Sequence, residues 1–220
     1  MFQKPQEMLE RVDDFRFADW KDLHIDSDVI RGRLLHNRVG FTTLENLPML
    51  LGLRPEPFMN ELEQEIYDKF EGDELMTRIE LFAEYPKQSE DKAFHRQLRN
   101  ALHNLERNLL LVNQFEEIQG RKRRVTLYRT TKNINPLSFK ESLLELIRRI
   151  GPIKPNTLRL YITRSVEELV DTLRELETAG QITKVLALQP EPTEFYCLPS
   201  DNKKLNTHSR EDRKIRILTQ

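Results

Sequence analysis

Residues 92–131, KAFHRQLRNALHNLERNLLLVNQFEEIQGRKRRVTLYRTT, decide how this chain is read. From Ala93 to Val112 the apolar residues Phe94, Leu98, Ala101, Leu102, Leu105, Leu109 and Leu110 recur every three or four positions. That period marks one buried stripe on an α-helix. The opposite face carries His95, Arg96, Arg99, Asn100, His103, Asn104 and Arg107, a set of donors almost without acceptor charge. Leu111–Gln119 is a β-compatible run and Val125–Thr131 a β-branched and aromatic one. Gly120 between them can take the positive φ of a tight turn. The spacing predicts a helix followed by a hairpin with Arg121, Lys122, Arg123 and Arg124 near its tip.

A recognition helix backed by a basic β-wing is the layout of a winged helix, a relative of the helix-turn-helix, poised to meet a polyanion. Charge distribution sharpens this. The whole chain is nearly neutral, with 35 Lys+Arg against 36 Asp+Glu. Pro55–Asp91 nevertheless holds 12 acidic and three basic residues, whereas Lys92–Thr131 holds nine basic and three acidic ones. A solvated face in a chain that is 32% charged normally mixes signs; an unmixed one is a footprint for an anionic partner.

Composition limits the alternatives. With 220 residues and 38% hydrophobic content, the chain can bury several small cores. A lone Cys197 between Tyr196 and Leu198 rules out an internal disulfide and a cysteine-rich zinc site. His95 and His103 stand two helical turns apart, too far to share a metal, so no metal and no cofactor is expected. There is no glycine-rich phosphate loop, no Gly-X-Ser-X-Gly and no His-Glu-X-X-His. Asp13-Asp14 and Glu116-Glu117 are sequence neighbours whose carboxylates point apart. No apolar run nears the ~20 residues that cross a bilayer, and the first residues lack an apolar core of signal-peptide length. The expectation is a soluble cytoplasmic protein without membrane contact, nucleoid-associated if prokaryotic.

Proline-containing joints divide the chain at Pro55–Pro57, Pro136 and Pro199. Residues 1–54 read as an incomplete module: an amphipathic piece at Arg11–Leu23, a strand-like run at Val29–Phe41, and a helix capped by Thr42 or Thr43 and running through Leu51. Too small for its own core, it is expected to cover Phe15, Phe17 and Trp20 on residues 136–200 or in a homodimer. Residues 55–135 are predicted to hold helices at Phe58–Phe70 and Asp73–Glu84 before the basic helix and wing. Residues 136–200 repeat that order. Their helices are predicted at Ser138–Ile150, stopped by Gly151-Pro152, at Asn156–Ile162 and at Ser165–Ala179. The last has a Ser165/Glu168 capping box and Gly180 as its C′ residue. A hairpin follows, Gln181–Leu188 with Thr193–Leu198. This third helix exposes Glu167, Glu168, Asp171, Arg174, Glu175 and Glu177, which would set carboxylates against phosphate. Residues 136–200 are therefore read as a scaffold or a protein-contact module, and 201–220 as a polar, basic tail.

Two further stretches carry a family resemblance: Asp26-Ser27-Asp28-Val29-Ile30-Arg31, and Phe41-Thr42-Thr43-Leu44-Glu45-Asn46-Leu47-Pro48-Met49-Leu50-Leu51-Gly52-Leu53. Over residues 11–200 the chain resembles the winged-helix DNA-binding family that includes the bacterial glycosylases that unhook interstrand crosslinks. The resemblance implies tandem winged helices on DNA. The family strand Arg-Gly-Thr-Leu-His aligns with His36–Gly40, placing Gly40 where the family has histidine. The family's Gln-X-Gln or Gln-X-Asp catalytic motif does not occur in the chain. Without a polar group to position water beside a nucleotide, hydrolysis has no evident agent.

The sequence thus predicts a mainly α fold of tandem winged-helix modules with small β-wings. It predicts non-catalytic duplex DNA binding through Arg96, Arg99, Asn100, His103, Arg107, Arg121, Lys122, Arg123 and Arg124, in repair or transcription regulation. One alternative is a protein-interaction adaptor in a repair or transcription complex. Another is a glycosylase-related repair protein whose catalytic part lies on a separate chain.

Overall fold

The computed structural model describes residues 29–35, 38–70, 75–85, 91–117, 124–187 and 193–201. Arg11–Leu23, the expected hairpin tip at 118–123 and the tail 202–220 lie outside the described residues. The architecture is mixed α/β with small antiparallel sheets, less helical than the sequence predicts. The difference comes from long-range pairing. Strands β1 (Val29–Leu35) and β2 (Arg38–Thr43) form a hairpin with Gly32 opposite Gly40. This hairpin adds to the pair β4 (Leu111–Glu117) and β5 (Arg124–Thr130) through Arg31 opposite Asn113. A short β3 (Leu75–Thr77) pairs with the other side of β5, completing a five-stranded order β2-β1-β4-β5-β3.

That sheet separates two cores, and strand alternation decides which residue enters which. Ile30 and Leu34 on β1, with Val112 on β4, face a core shared with residues 47–53 and 143–182. Leu111 and Tyr128 belong to the second core, built with α2 (Glu61–Asp68), α3 (Arg78–Ala83) and α4 (Lys92–Arg107). Helix α1 (Leu47–Gly52) packs on α5 (Phe139–Ile150), and Leu47, Met49, Leu50 and Leu53 share one core with Leu143, Leu146 and Ile147. Gly52 makes this approach possible: a Cβ there would overlap the Ser142 hydroxyl and the Leu137 carbonyl. The expected homodimer through residues 1–54 rests on Phe15, Phe17 and Trp20, which lie outside the described residues.

Several predicted helices differ in extent. Phe58–Phe70 is helical only over Glu61–Asp68, because Asn60 and Glu63 form a capping box at its start, and Asn156–Ile162 is a single turn at Pro155–Leu158. Within Asp73–Glu84 the helix begins only at Arg78, because Leu75, Met76 and Thr77 pair with Arg129, Tyr128 and Leu127. Ahead of α1, residues Leu44–Asn46 form a 3₁₀ turn that no threonine caps; Thr42 and Thr43 instead accept hydrogen bonds from Asn46 Nδ2. The basic helix stops at Arg107 rather than continuing to Val112, because Leu109 turns the chain at φ 58°.

In the C-terminal part, α5 starts at a Ser138/Glu141 capping box and ends at Gly151. A short α6 (Pro155–Leu158) precedes α7 (Val166–Thr178), whose N-terminus carries the reciprocal Ser165 and Glu168 bonds. Gly180 then takes φ 67°, with its N–H on the Glu177 carbonyl and the Gln181 N–H on the Leu176 carbonyl. Strands β6 (Thr183–Ala187) and β7 (Thr193–Cys197) close this part as a separate two-stranded sheet.

Candidate nucleic-acid interface

Helix α4 begins at Asp91, whose carboxylate accepts from the Ala93 N–H at 2.7 Å. Leu98, Ala101, Leu102 and Leu105 are buried. At the helical rotation of about 100° per residue, Arg99, His103, Arg96, Arg107 and Asn100 fall within one arc of about 100° on the far side. All five are exposed. No carboxylate of the helix lies inside that arc; Glu106, about 20° beyond Arg99, borders it and is engaged by Arg33 and Asn113. Arg99 is steadied along it, its Nε donating to the His95 carbonyl at 3.2 Å.

The two flanks of this arc belong to packing instead. The His95 ring stacks on Phe82 of α3, with centroids 5.1 Å apart and planes 17° from parallel. Asn104 Nδ2 donates to the buried Glu63 of α2 at 2.7 Å. Of the seven polar positions legible in the sequence, His95 and Asn104 thus also hold the helix between α3 and α2, Asn104 while still exposed.

The C-terminal end of α4 is clamped from two directions. The Leu110 N–H reaches the Leu105 carbonyl at 2.9 Å and the Leu109 N–H the Glu106 carbonyl at 3.1 Å, while the Leu109 side chain enters the first core fully buried. Arg54 then crosses from the segment after α1. Its guanidinium donates to the Arg107 carbonyl and, at 2.6 Å, to the Arg33 carbonyl of β1. Burial, with the charge of Arg107 adding, pushes its pKa down to about 10, so the group remains a cation at neutral pH. A fixed positive charge at a helix C-terminus complements the macrodipole.

The hairpin β4–β5 that follows α4 pairs in register from Leu111 opposite Thr130 to Glu117 opposite Arg124. Arg124 opens β5; Arg121, Lys122 and Arg123 lie outside the described residues. The structure therefore places Arg96, Arg99, Asn100, His103 and Arg107 together on one face, with the Arg124 backbone at the far end of the hairpin that follows.

Beside this face lies a cleft of about 510 Å³ that the sequence did not single out. Arg31, Arg33 and Val39 border it from the N-terminal hairpin, Arg78 and Ile79 from the start of α3, Glu106 from the last turn of α4, and Asn113 and Tyr128 from the sheet. The Glu106 carboxylate lies 3.7 Å from Arg33 Nε and accepts from Asn113 Nδ2 at 3.2 Å. Burial raises the Tyr128 phenol, with Glu106 adding to the shift and Arg78 and Arg31 opposing it. The available signal was the alternation of Arg31 and Arg33 on one strand, which turns both to the same face. What they face is set by β4, β5 and α3, remote in sequence.

The C-terminal counterpart, α7, exposes Glu167, Glu168, Asp171, Arg174, Glu175 and Glu177. Arg174 pairs with Asp171 at 3.2 Å, and Arg164 and Lys140 from outside the helix pair with Glu168 and Glu175 at 3.2 and 3.0 Å, so the acidic excess of α7 is partly neutralised. Among the described residues no group of three His, Cys, Asp or Glu side chains could hold a metal ion, and no helix is long and apolar enough to cross a membrane.

The fold is similar to that of the DNA glycosylase AlkZ from Streptomyces sahachiroi, with a TM-score of 0.59 at 14% sequence identity. The likeness covers 86% of this chain and 56% of that one, so the chain spans about half the length of the glycosylase. At that identity the likeness is one of fold. No family model and no curated protein matches the sequence.

Proposed function

We propose that residues 55–135 form a winged helix that binds duplex DNA, with α4 in or along the major groove and the wing on the backbone. One observation carries this reading: Arg96, Arg99, Asn100, His103 and Arg107 share an exposed arc of α4 that contains no carboxylate. Arg and Asn can make bidentate contacts to guanine and adenine edges, and the remaining cations can hold phosphate. Arg121, Lys122, Arg123 and Arg124 would extend the contact along the strand. Residues 136–200 form a second winged helix whose acidic α7 faces away from DNA and serves as scaffold or protein contact. The likeness in fold to a DNA glycosylase supports a role on DNA, in repair or transcription. Lacking the glutamine motif, the chain holds the duplex without cleaving the glycosidic bond.

The test is an electrophoretic shift with mixed-sequence duplex across a salt series. Binding whose logarithm falls linearly with the logarithm of salt is expected. Absence of a shift at low salt sinks the reading. The fold likeness also favours a glycosylase-related part acting with a separate catalytic chain. Release of alkylated bases only after a second protein is added would select that version; release by the purified chain alone would overturn the non-catalytic one.

A further inference from the structure

The cleft beside α4 combines three features that DNA-backbone binding by the helix and wing does not use. Its lining holds three guanidinium groups, Arg31, Arg33 and Arg78, against one carboxylate, Glu106, a net positive site suited to an anion. Its floor holds Asn113, 5% exposed, whose Nδ2 is given to Glu106 and whose Oδ1 meets no donor among the described residues. A buried amide oxygen without a partner calls for an N–H from a ligand. Its rim holds two apolar side chains, Val39 and Ile79, the latter 84% exposed. An anion, an N–H-bearing edge and a flat apolar face are together the chemistry of one nucleotide, and about 510 Å³ is within the range of small-molecule clefts.

We infer that this cleft binds a single nucleotide unit, with the amino edge of the base on Asn113 Oδ1, the base between Val39 and Ile79, and the phosphate on Arg31 and Arg78. The nucleotide is either free or an unpaired one in a strand. Only in the second case does the inference rest on the proposed DNA reading. The position favours a shared surface: Glu106, at the edge of the cleft, lies seven residues after Arg99 and three after His103, hence along the same side of α4.

The test is calorimetric titration of the full chain with adenosine 5′-monophosphate, adenosine and inorganic phosphate, alongside binding to a duplex with one unpaired adenine and to its fully paired counterpart. Adenosine monophosphate is expected to bind about tenfold tighter than either fragment. Asn113→Ala and Arg78→Ala should each weaken it by roughly five- to tenfold. Arg78 lies on the surface, so that variant keeps the test decisive if Asn113→Ala fails to fold. Preference for the unpaired adenine, lost in the variants, assigns the site to a strand; tight mononucleotide binding without that preference assigns it to a free nucleotide. The inference is overturned if the mononucleotide binds no tighter than phosphate and the unpaired duplex no tighter than the paired one. Unchanged affinities in Arg78→Ala overturn it equally. The mononucleotide arm reads the cleft even if paired duplex does not bind at all, so the two proposals fail separately.

Discussion

Helices α4 and α7 both run into an antiparallel hairpin and both end in the same pair of hydrogen bonds, yet different residues make the turn. After α7 the left-handed position is Gly180, with open space where a Cβ would go. After α4 it is Leu109, a residue that adopts φ 58° only against a cost of roughly 1–2 kcal/mol. Its side chain is fully buried beside Ile30 and Val112, worth about 2 kcal/mol, which offsets the strain. One helix end is therefore local, specified by a glycine, and the other is tertiary, specified by a core on the far side of a sheet. The hairpins differ in the same sense: β6–β7 stands as a two-stranded sheet, whereas β4–β5 is the centre of five strands. Their helices differ in charge, α4 cationic and α7 acidic. The end that is anchored by the rest of the molecule is the end that presents the basic face, an arrangement suited to holding that face rigidly against a partner.

The largest expected effect separates the two hairpins by charge. Replacing Arg121, Lys122, Arg123 and Arg124 with alanine should lower the slope of log affinity against log salt by up to about 3.6, roughly 4–5 kcal/mol at 0.1 M salt. Neutralising Glu191, which lies between β6 and β7 in sequence, should leave the slope unchanged. Equal slopes for the wild type and the quadruple variant in a titrated gel shift would break the comparison.

Next come the helix ends. Leu109→Ala should cost about 2–5 kcal/mol in chemical unfolding, since it empties the core position and keeps the strained φ. Leu109→Gly should cost no more than Leu109→Ala, because glycine relieves the strain that alanine retains. Gly180→Ala should cost only about 1 kcal/mol, from strain alone. If Leu109→Gly proves clearly worse than Leu109→Ala, the left-handed turn is not where the energy lies.

A smaller effect concerns sequence preference. Arg99→Ala or Asn100→Ala should relax base preference by about 1–3 kcal/mol at the contacted position. Selection of preferred sites with each variant reads this directly, and recovery of the wild-type motif at full strength from both would remove α4 as the reader.

The smallest is electrostatic and belongs to α7. Its capping carboxylate, Glu168, is held below the usual glutamate range chiefly by the Ser165 N–H, with the Arg164 side chain contributing. A depressed carboxylate contributes stability that is present above its unfolded pKa and lost as pH falls through the folded one. Titration followed by NMR should show Glu168 protonating below an unstructured glutamate, and Ser165→Ala, which keeps the N–H but removes the hydroxyl's bond to the carboxylate, should move it upward only in part. An unshifted midpoint in the wild type would mean the capping box is not populated in solution.

Wherever the physics was local, the sequence was readable. The stripe of α4, the Ser165/Glu168 box and the turn at Gly180 all follow from spacing within a few residues, because helical neighbours are sequence neighbours. The exposed set Arg96, Arg99, Asn100, His103 and Arg107 was legible for the same reason. His95 and Asn104 were read onto that face too, since only α3 and α2 reveal that Phe82 and Glu63 claim them. Strand β3, the extension of the β4–β5 hairpin by β1 and β2, the crossing of Arg54 to the end of α4, and the cleft around Asn113 leave no local period. Each depends on groups tens of residues apart being brought together, and a backbone hydrogen bond between distant strands carries no residue signature of its own. The sequence by itself determined the elements and the sign of charge on each face; only the tertiary structure decided which of those faces are paired, which are plugged into a core, and which are left to solvent.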